Sequence, residues 1–200
     1  MKRFSIMASF LLVVILLSGC SSDSKPFLEL KPSFELVDFS VSISNDESLV
    51  GWTEITEGEQ KGQKVVPSVL YYEFTLKNAG AIAFDRNPNE ILDIKLDPSE
   101  KLTEVSQETM GLNIFDQHSN FGYGYTLDLY LKPGDQRSSV LYYVLGVSEI
   151  IPTEATPLAP SDEKLNKLLE YATDADLVIL RNGLEIGRFD LSLEPNKGKI

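Results

Sequence analysis

The chain has 200 residues, with 30 Asp and Glu against 18 Lys and Arg, a formal net charge of −12 and a pI near 4.5. That balance argues against nucleic acid, whose binding rests on Lys and Arg meeting phosphates. It argues equally against anionic lipid headgroups and anionic wall polymers as direct electrostatic partners. One cysteine and one histidine leave no disulfide framework and no multi-histidine zinc site.

Lys2 and Arg3 precede an apolar run from Ile6 to Leu17, and the small residues Ser18 and Gly19 then lead to Cys20. Cations, apolar stretch and small residues in that order are the pattern of a secretory signal. The run falls short of the ~20 residues that a membrane span needs. Polar Ser21-Ser22-Asp23-Ser24 follows at once, so nothing there buries a free thiol. Leu17-Ser18-Gly19-Cys20 resembles the lipobox of bacterial lipoprotein signal peptides. The resemblance implies that residues 1–19 are a signal peptide that is removed. It implies that Cys20 becomes the first residue and carries covalent diacylglycerol and an N-acyl chain. It places the protein on the extracytoplasmic face of a cell membrane, held by its lipid, and leans to a single-membrane bacterium. Burial contributes about 0.8 kcal/mol per CH₂, so one acyl chain holds marginally and two hold stably. Losing Lys2 and Arg3 with the signal takes the formal charge from −12 to −14.

Residues 20–32 read as the lipidated cysteine and a short tether, in which Ser21 to Pro26 reaches roughly 20 Å at most. Residues 33–200 are enough for one core and are expected to form a single β-sandwich domain. Phe34 and Leu36, then Phe39, Val41 and Ile43, alternate in two phases. The slip at Val37-Asp38 predicts a β-bulge in one long strand. Asn45 to Ser48 is a turn, and Leu49 to Ile55 is expected to be a second strand with Trp52 in the core. Glu57 to Gly62 is a polar loop. Val65 to Lys77 is a strand with Leu70, Tyr72, Phe74 and Leu76 on one face. Pro67 belongs at its end or on an edge.

Asn78-Ala79-Gly80 turns the chain, and Ile91, Ile94 and Leu96 lie in a further strand. Ser99 to Met110 carries both a helical spacing (Leu102, Val105) and a Thr and Val content that suits a strand; we read it as extended. Phe121, Tyr123, Tyr125, Leu127, Leu129 and Leu131 share one parity, which places all of them on a core face. Lys132-Pro133-Gly134-Asp135 is a turn. Val140 to Val147, apolar on both parities, predicts a central strand. Ile151 to Pro160, with three prolines, should cross the surface without regular structure. Ser161 opens a helix over about 161–172 as its N-cap, with Leu165, Leu168, Leu169 and Ala172 as the buried stripe. Leu177 to Leu180, Asn182-Gly183 and Leu184 to Leu191 form a hairpin, because Asn-Gly is the preferred type I′ pair.

Seven to nine strands with one short helix predict an all-β protein, a two-sheet sandwich. Tyr72 to Gly80, and Leu131 to Asp135 followed by Val140 to Val144, are similar to segments of immunoglobulin-like domains in bacterial surface lipoproteins. The resemblance covers about residues 33–147 and implies an immunoglobulin-like fold. It transfers no functional residue, since fold alone does not give function.

Little in the chain carries chemistry. His118 lies in a polar loop with no ligand spacing around it. Ser161-x-x-Lys164 matches the nucleophile motif of penicillin-interacting enzymes, but S-D-N and K-T-G are absent and a helix cap accounts for the same serine. Asp85, Asn87, Asn89 and Asp93 offer oxygens at calcium-loop spacing, yet Glu90 stands where such a loop needs Gly and Leu96 where it needs Glu. Phe121-Gly122-Tyr123-Gly124-Tyr125 suits a sugar-stacking platform, although its parity assigns the rings to the core. The expectation is therefore a non-enzymatic, lipid-anchored envelope module that binds or assists an envelope protein, with no nucleic acid and no cofactor beyond its own lipid. The alternative is a ligand- or calcium-binding surface domain using residues 85–108, which hold seven acids and three cations.

Overall fold

A computed structural model describes residues 33–55, 58, 60–84, 87, 89–116, 118, 122–147 and 157–193, all within one unit of the chain. In chain order these form β1 (Phe34–Ser44), α1 (Glu47–Val50), β2 (Thr53–Glu54), β3 (Lys64–Val65), β4 (Pro67–Asn78), β5 (Leu92–Pro98), α2 (Glu100–Met110), β6 (Tyr123–Thr126), β7 (Gln136–Val147), α3 (Asp162–Tyr171), β8 (Ala175–Arg181) and β9 (Leu184–Asp190). The fold is the expected all-β two-sheet sandwich.

The larger sheet runs β1-β4-β7-β6, antiparallel throughout. The β1–β4 register shifts between Leu36 and Asp38, so the phase slip in the sequence is a bulge at Val37. It lets Leu36, Phe39 and Val41 all face inward. Pro67 opens β4, where its missing N–H interrupts no interior ladder. Along β4, Leu70, Tyr72, Phe74 and Leu76 are fully buried, beside Leu141, Tyr143 and Leu145 of the neighbouring β7 on the same core face. Each such side chain stabilises the fold by about 1.5–3 kcal/mol relative to exposure.

The smaller sheet runs β5-β8-β9. Its central strand turns Leu177 and Ile179 into the shared core. Val178 faces the other way and is still buried, in register between Lys95 and Arg188. Asn182 and Gly183 both have positive φ, 52° and 77°, the type I′ turn that Asn-Gly predicts.

Three strands of seven residues cannot cover a sheet whose β1, β4 and β7 run to eleven or twelve, and α2 and α3 fill the remainder. They pack on each other and send Leu102, Val105, Leu165 and Leu168 into the same core. Tyr72 Oη donates to the Ala172 carbonyl at 2.9 Å, fixing the end of α3 on the larger sheet.

Four expectations need correction. Ser99 to Met110 is not extended. Ser99 Oγ accepts the Leu102 N–H at 3.1 Å, Leu102, Val105, Ser106 and Thr109 form one buried stripe, and Gly111 closes the helix at φ 78°. A cap, a helical stripe and a left-handed stop outweigh β-branched content. Leu49 to Ile55 is not one strand: Asp46 Oδ1 accepts the Ser48 N–H and starts α1 instead, and only Thr53–Glu54 pairs. The described residues therefore hold three helices, not one. Finally, the 121–131 alternation is a strand only at Tyr123–Thr126; Leu131 instead makes an isolated bridge to Phe84. Within Ile151 to Pro160, residues 151–156 lie outside the described residues, and Leu158 bridges Val147 in parallel.

Candidate functional site

The two sheets part on one side, where β5 and β6 are both edge strands. A groove of about 790 Å³ opens there between the segment leading into β5 and the segment leaving β6. Phe84 forms its floor and is tied to the far wall by paired backbone bonds with Leu131, 2.9 and 3.3 Å. One wall is held by the type I′ turn: the Ile91 N–H donates to Asn182 Oδ1 at 2.9 Å, and the Asn182 N–H to the Ile91 carbonyl at 2.8 Å. Glu90 on that wall pairs with Arg181, whose Nε donates to Glu90 Oε2 at 2.6 Å. The same guanidinium lies 5.0 Å from the Phe84 ring centre. Ion pair and cation–π contact together fix the groove's base.

On the other wall Asp128 Oδ1 accepts the Tyr130 N–H at 3.1 Å. This Asx turn displays Tyr130, which is 50% exposed. Beyond the groove's end stand Tyr123 and Tyr125, with near-parallel rings 6.5 Å apart. Register pairs Tyr123 with Tyr143, so parity assigned both rings to the correct face. They are nevertheless 38% and 39% exposed, because β6 is the last strand of its sheet. Their placement in the core is thus corrected: they roof its open side.

Tyr125 Oη donates to the Leu92 carbonyl at 3.3 Å, and burial, helped by Asp93, raises its phenol pKa. Tyr143 Oη accepts the Leu96 N–H at 3.3 Å, and Asp93 Oδ1 accepts the Ile94 N–H at 2.8 Å. Side chains thus occupy one outward backbone group on each of three alternate residues of β5, the Leu92 carbonyl and the Ile94 and Leu96 N–H groups. An edge satisfied in this way is a poor template for another strand.

The remaining candidates are scattered. Cys20, Asp85 and Phe121 lie outside the described residues. Asn87 Oδ1 accepts the Asn89 N–H at 3.1 Å, so it closes its own loop. Asn87 also lines the groove. Among the described residues no group of three or more His, Cys, Asp or Glu is placed to hold a metal ion. His118 is exposed, its backbone N–H donating to Asp116 Oδ1. Ser161 occupies the N-cap position of α3, but its side chain makes no capping bond. Trp52, expected in the core, is 47% exposed, and Lys64 Nζ lies 4.2 Å from its ring centre. It follows the four-residue helix Glu47–Val50 and its closing Gly51 rather than lying in a strand, and so escapes burial.

Sequence reasoning missed Tyr130, Asp128 and the Glu90–Arg181 pair. Tyr130 carried a usable signal, since it breaks the parity of Leu127, Leu129 and Leu131. The ion pair carried none, because its partners are ninety-one residues apart. No family model, no curated protein and no solved structure matches the chain. No helix among the described residues is long and apolar enough to cross a membrane.

Proposed function

We propose that this protein is a lipid-anchored, non-enzymatic module of the bacterial cell envelope. Cys20 holds it on the extracytoplasmic face, and its sandwich binds or assists an envelope protein. The observation that carries the reading is Leu17-Ser18-Gly19-Cys20 after two cations and an apolar run. The fold is compatible with it, since a core built by packing needs no disulfide. Cys20→Ala should abolish metabolic labelling by a palmitate analogue and leave an uncut precursor. Undiminished label in that variant overturns the assignment. Crosslinking in intact cells tests the partner: reproducible recovery of the protein alone counts against an accessory role.

Ligand capture by the acidic stretch of residues 85–108, which holds β5 and most of α2, is the second reading. The groove beside Asn87 and Glu90 favours it. A ligand that binds only the native state must raise its melting temperature, so a calcium titration separates a cation site from an organic one. No shift at millimolar calcium sinks the cation form.

A further inference from the structure

We infer that the groove between β5 and β6 binds a neutral carbohydrate chain, an inference that rests on the ligand-capture reading and names its ligand class. The groove has the volume of a small-molecule site. Its lining combines apolar surface from Ile91 and Tyr130 with oxygen-bearing Asn87 and Asp128. A pyranose presents the matching surface, an apolar C–H face ringed by hydroxyls.

Tyr130 supplies a half-exposed ring inside the groove, and Tyr123 and Tyr125 supply two more past its end, joined to it through the Tyr125–Leu92 bond. Three exposed tyrosines in sequence suit a chain of sugar rings better than a single one. The Asp128 carboxylate spends one oxygen on its turn and keeps lone pairs for hydroxyl donors.

The groove also disfavours the other occupants. An extended peptide would add to the β5 edge, but side chains already occupy the Leu92 carbonyl and the Ile94 and Leu96 N–H groups, which breaks the continuous ladder such a strand needs. An anionic polymer would meet Glu90 and Asp128, while Arg181 at the base is engaged by Glu90. A wholly apolar ligand would strip water from Asn87 and Asp128 with no return.

The test is a titration of the purified full chain, in a polyoxyethylene detergent that carries no sugar headgroup. The probes are maltohexaose, cellohexaose, chitohexaose and a lysine-rich dodecapeptide. At least one hexasaccharide is expected to bind with a Kd at or below about 1 mM and to raise the melting temperature. Tyr130→Ala and Asp128→Ala are expected to weaken that binding about tenfold or more. Both residues are exposed, so the variants are checked to melt as the parent does when free. Tyr125→Phe keeps the ring and should retain binding, whereas Tyr125→Ala should lose it. Absence of binding by all three sugars, binding indifferent to Tyr130→Ala, or binding of the peptide alone overturns the inference. Binding of the peptide or a calcium-dependent rise in melting temperature without sugar binding overturns the inference and leaves ligand capture standing, whereas failure of every probe, calcium included, overturns both.

Discussion

Ser139 faces inward from β7, fully buried, and its hydroxyl has no hydrogen-bond partner. Burying an unpaired hydroxyl costs about 1–3 kcal/mol. Ser139→Ala should therefore stabilise the protein by about 1 kcal/mol, seen as a higher urea midpoint with an unchanged slope. A lower midpoint would show that the hydroxyl has a bond in solution. Tyr72 and Tyr143 make the opposite case. Burial raises both phenol pKa values well above the usual range; Tyr143 adds to the shift at Tyr72, and Tyr123 and Asp93 add to that at Tyr143. A folded-state value raised above the unfolded ~10 gives stability that is complete below pH ~10 and is lost as pH climbs beyond it. Urea midpoints should therefore hold level from pH 7 to about 10 and then fall. Tyr143→Phe should cost about 1 kcal/mol at neutral pH, through the orphaned Leu96 N–H, and should make the alkaline decline shallower. An unchanged alkaline slope would mean that other groups control it.

Two glycines set the limits of whole elements. Gly183 completes the β8–β9 turn at φ 77°. Gly183→Val should destabilise the protein by about 1–3 kcal/mol through backbone strain, readable as a fall in melting temperature; no fall would mean that the turn is not held in this form. Gly146 has φ 123°, and a Cβ there would sit 2.5 Å from the Pro157 carbonyl oxygen and 2.7 Å from the Ala159 nitrogen. The Val147 N–H and carbonyl bond to Pro157 and Ala159, both at 2.9 Å, so this close approach lays the 157–159 segment along the end of β7. Gly146→Ala should loosen that segment and speed its amide exchange. The first glycine was legible, because Asn-Gly is turn chemistry within two residues. The second was not, because its neighbour lies eleven residues further along the chain. The helix α2 shows a similar limit: Thr and Val favour extension, and only the cap, stripe and stop taken together reverse them.

At the scale of the molecule, the C-terminal helix and hairpin complete the sandwich. β8 is the centre of the smaller sheet, and Leu168, Leu177 and Ile179 belong to the same core as Tyr72 and Phe74. Truncation after Pro160 should leave β5 without its partner and abolish the cooperative melt. A fragment of residues 25–160 that unfolds sharply at the full-length temperature would show the segment to be an appendage. The sequence by itself determined the alternating strands, the bulge at Val37, the Asn182-Gly183 hairpin, the stripe of α3 and the acidic balance of the chain. Each depends on neighbours within a few residues, where side-chain period and turn chemistry act directly. Only the tertiary structure decided which strands become edges, and that choice left Tyr123 and Tyr125 half-exposed on a face their parity assigns to the core. It also brought Glu90 to Arg181 and Tyr130 to Ile91. Pairing order among distant strands is a property of the whole packed chain, so the groove arises from where the sheets part and has no local signature.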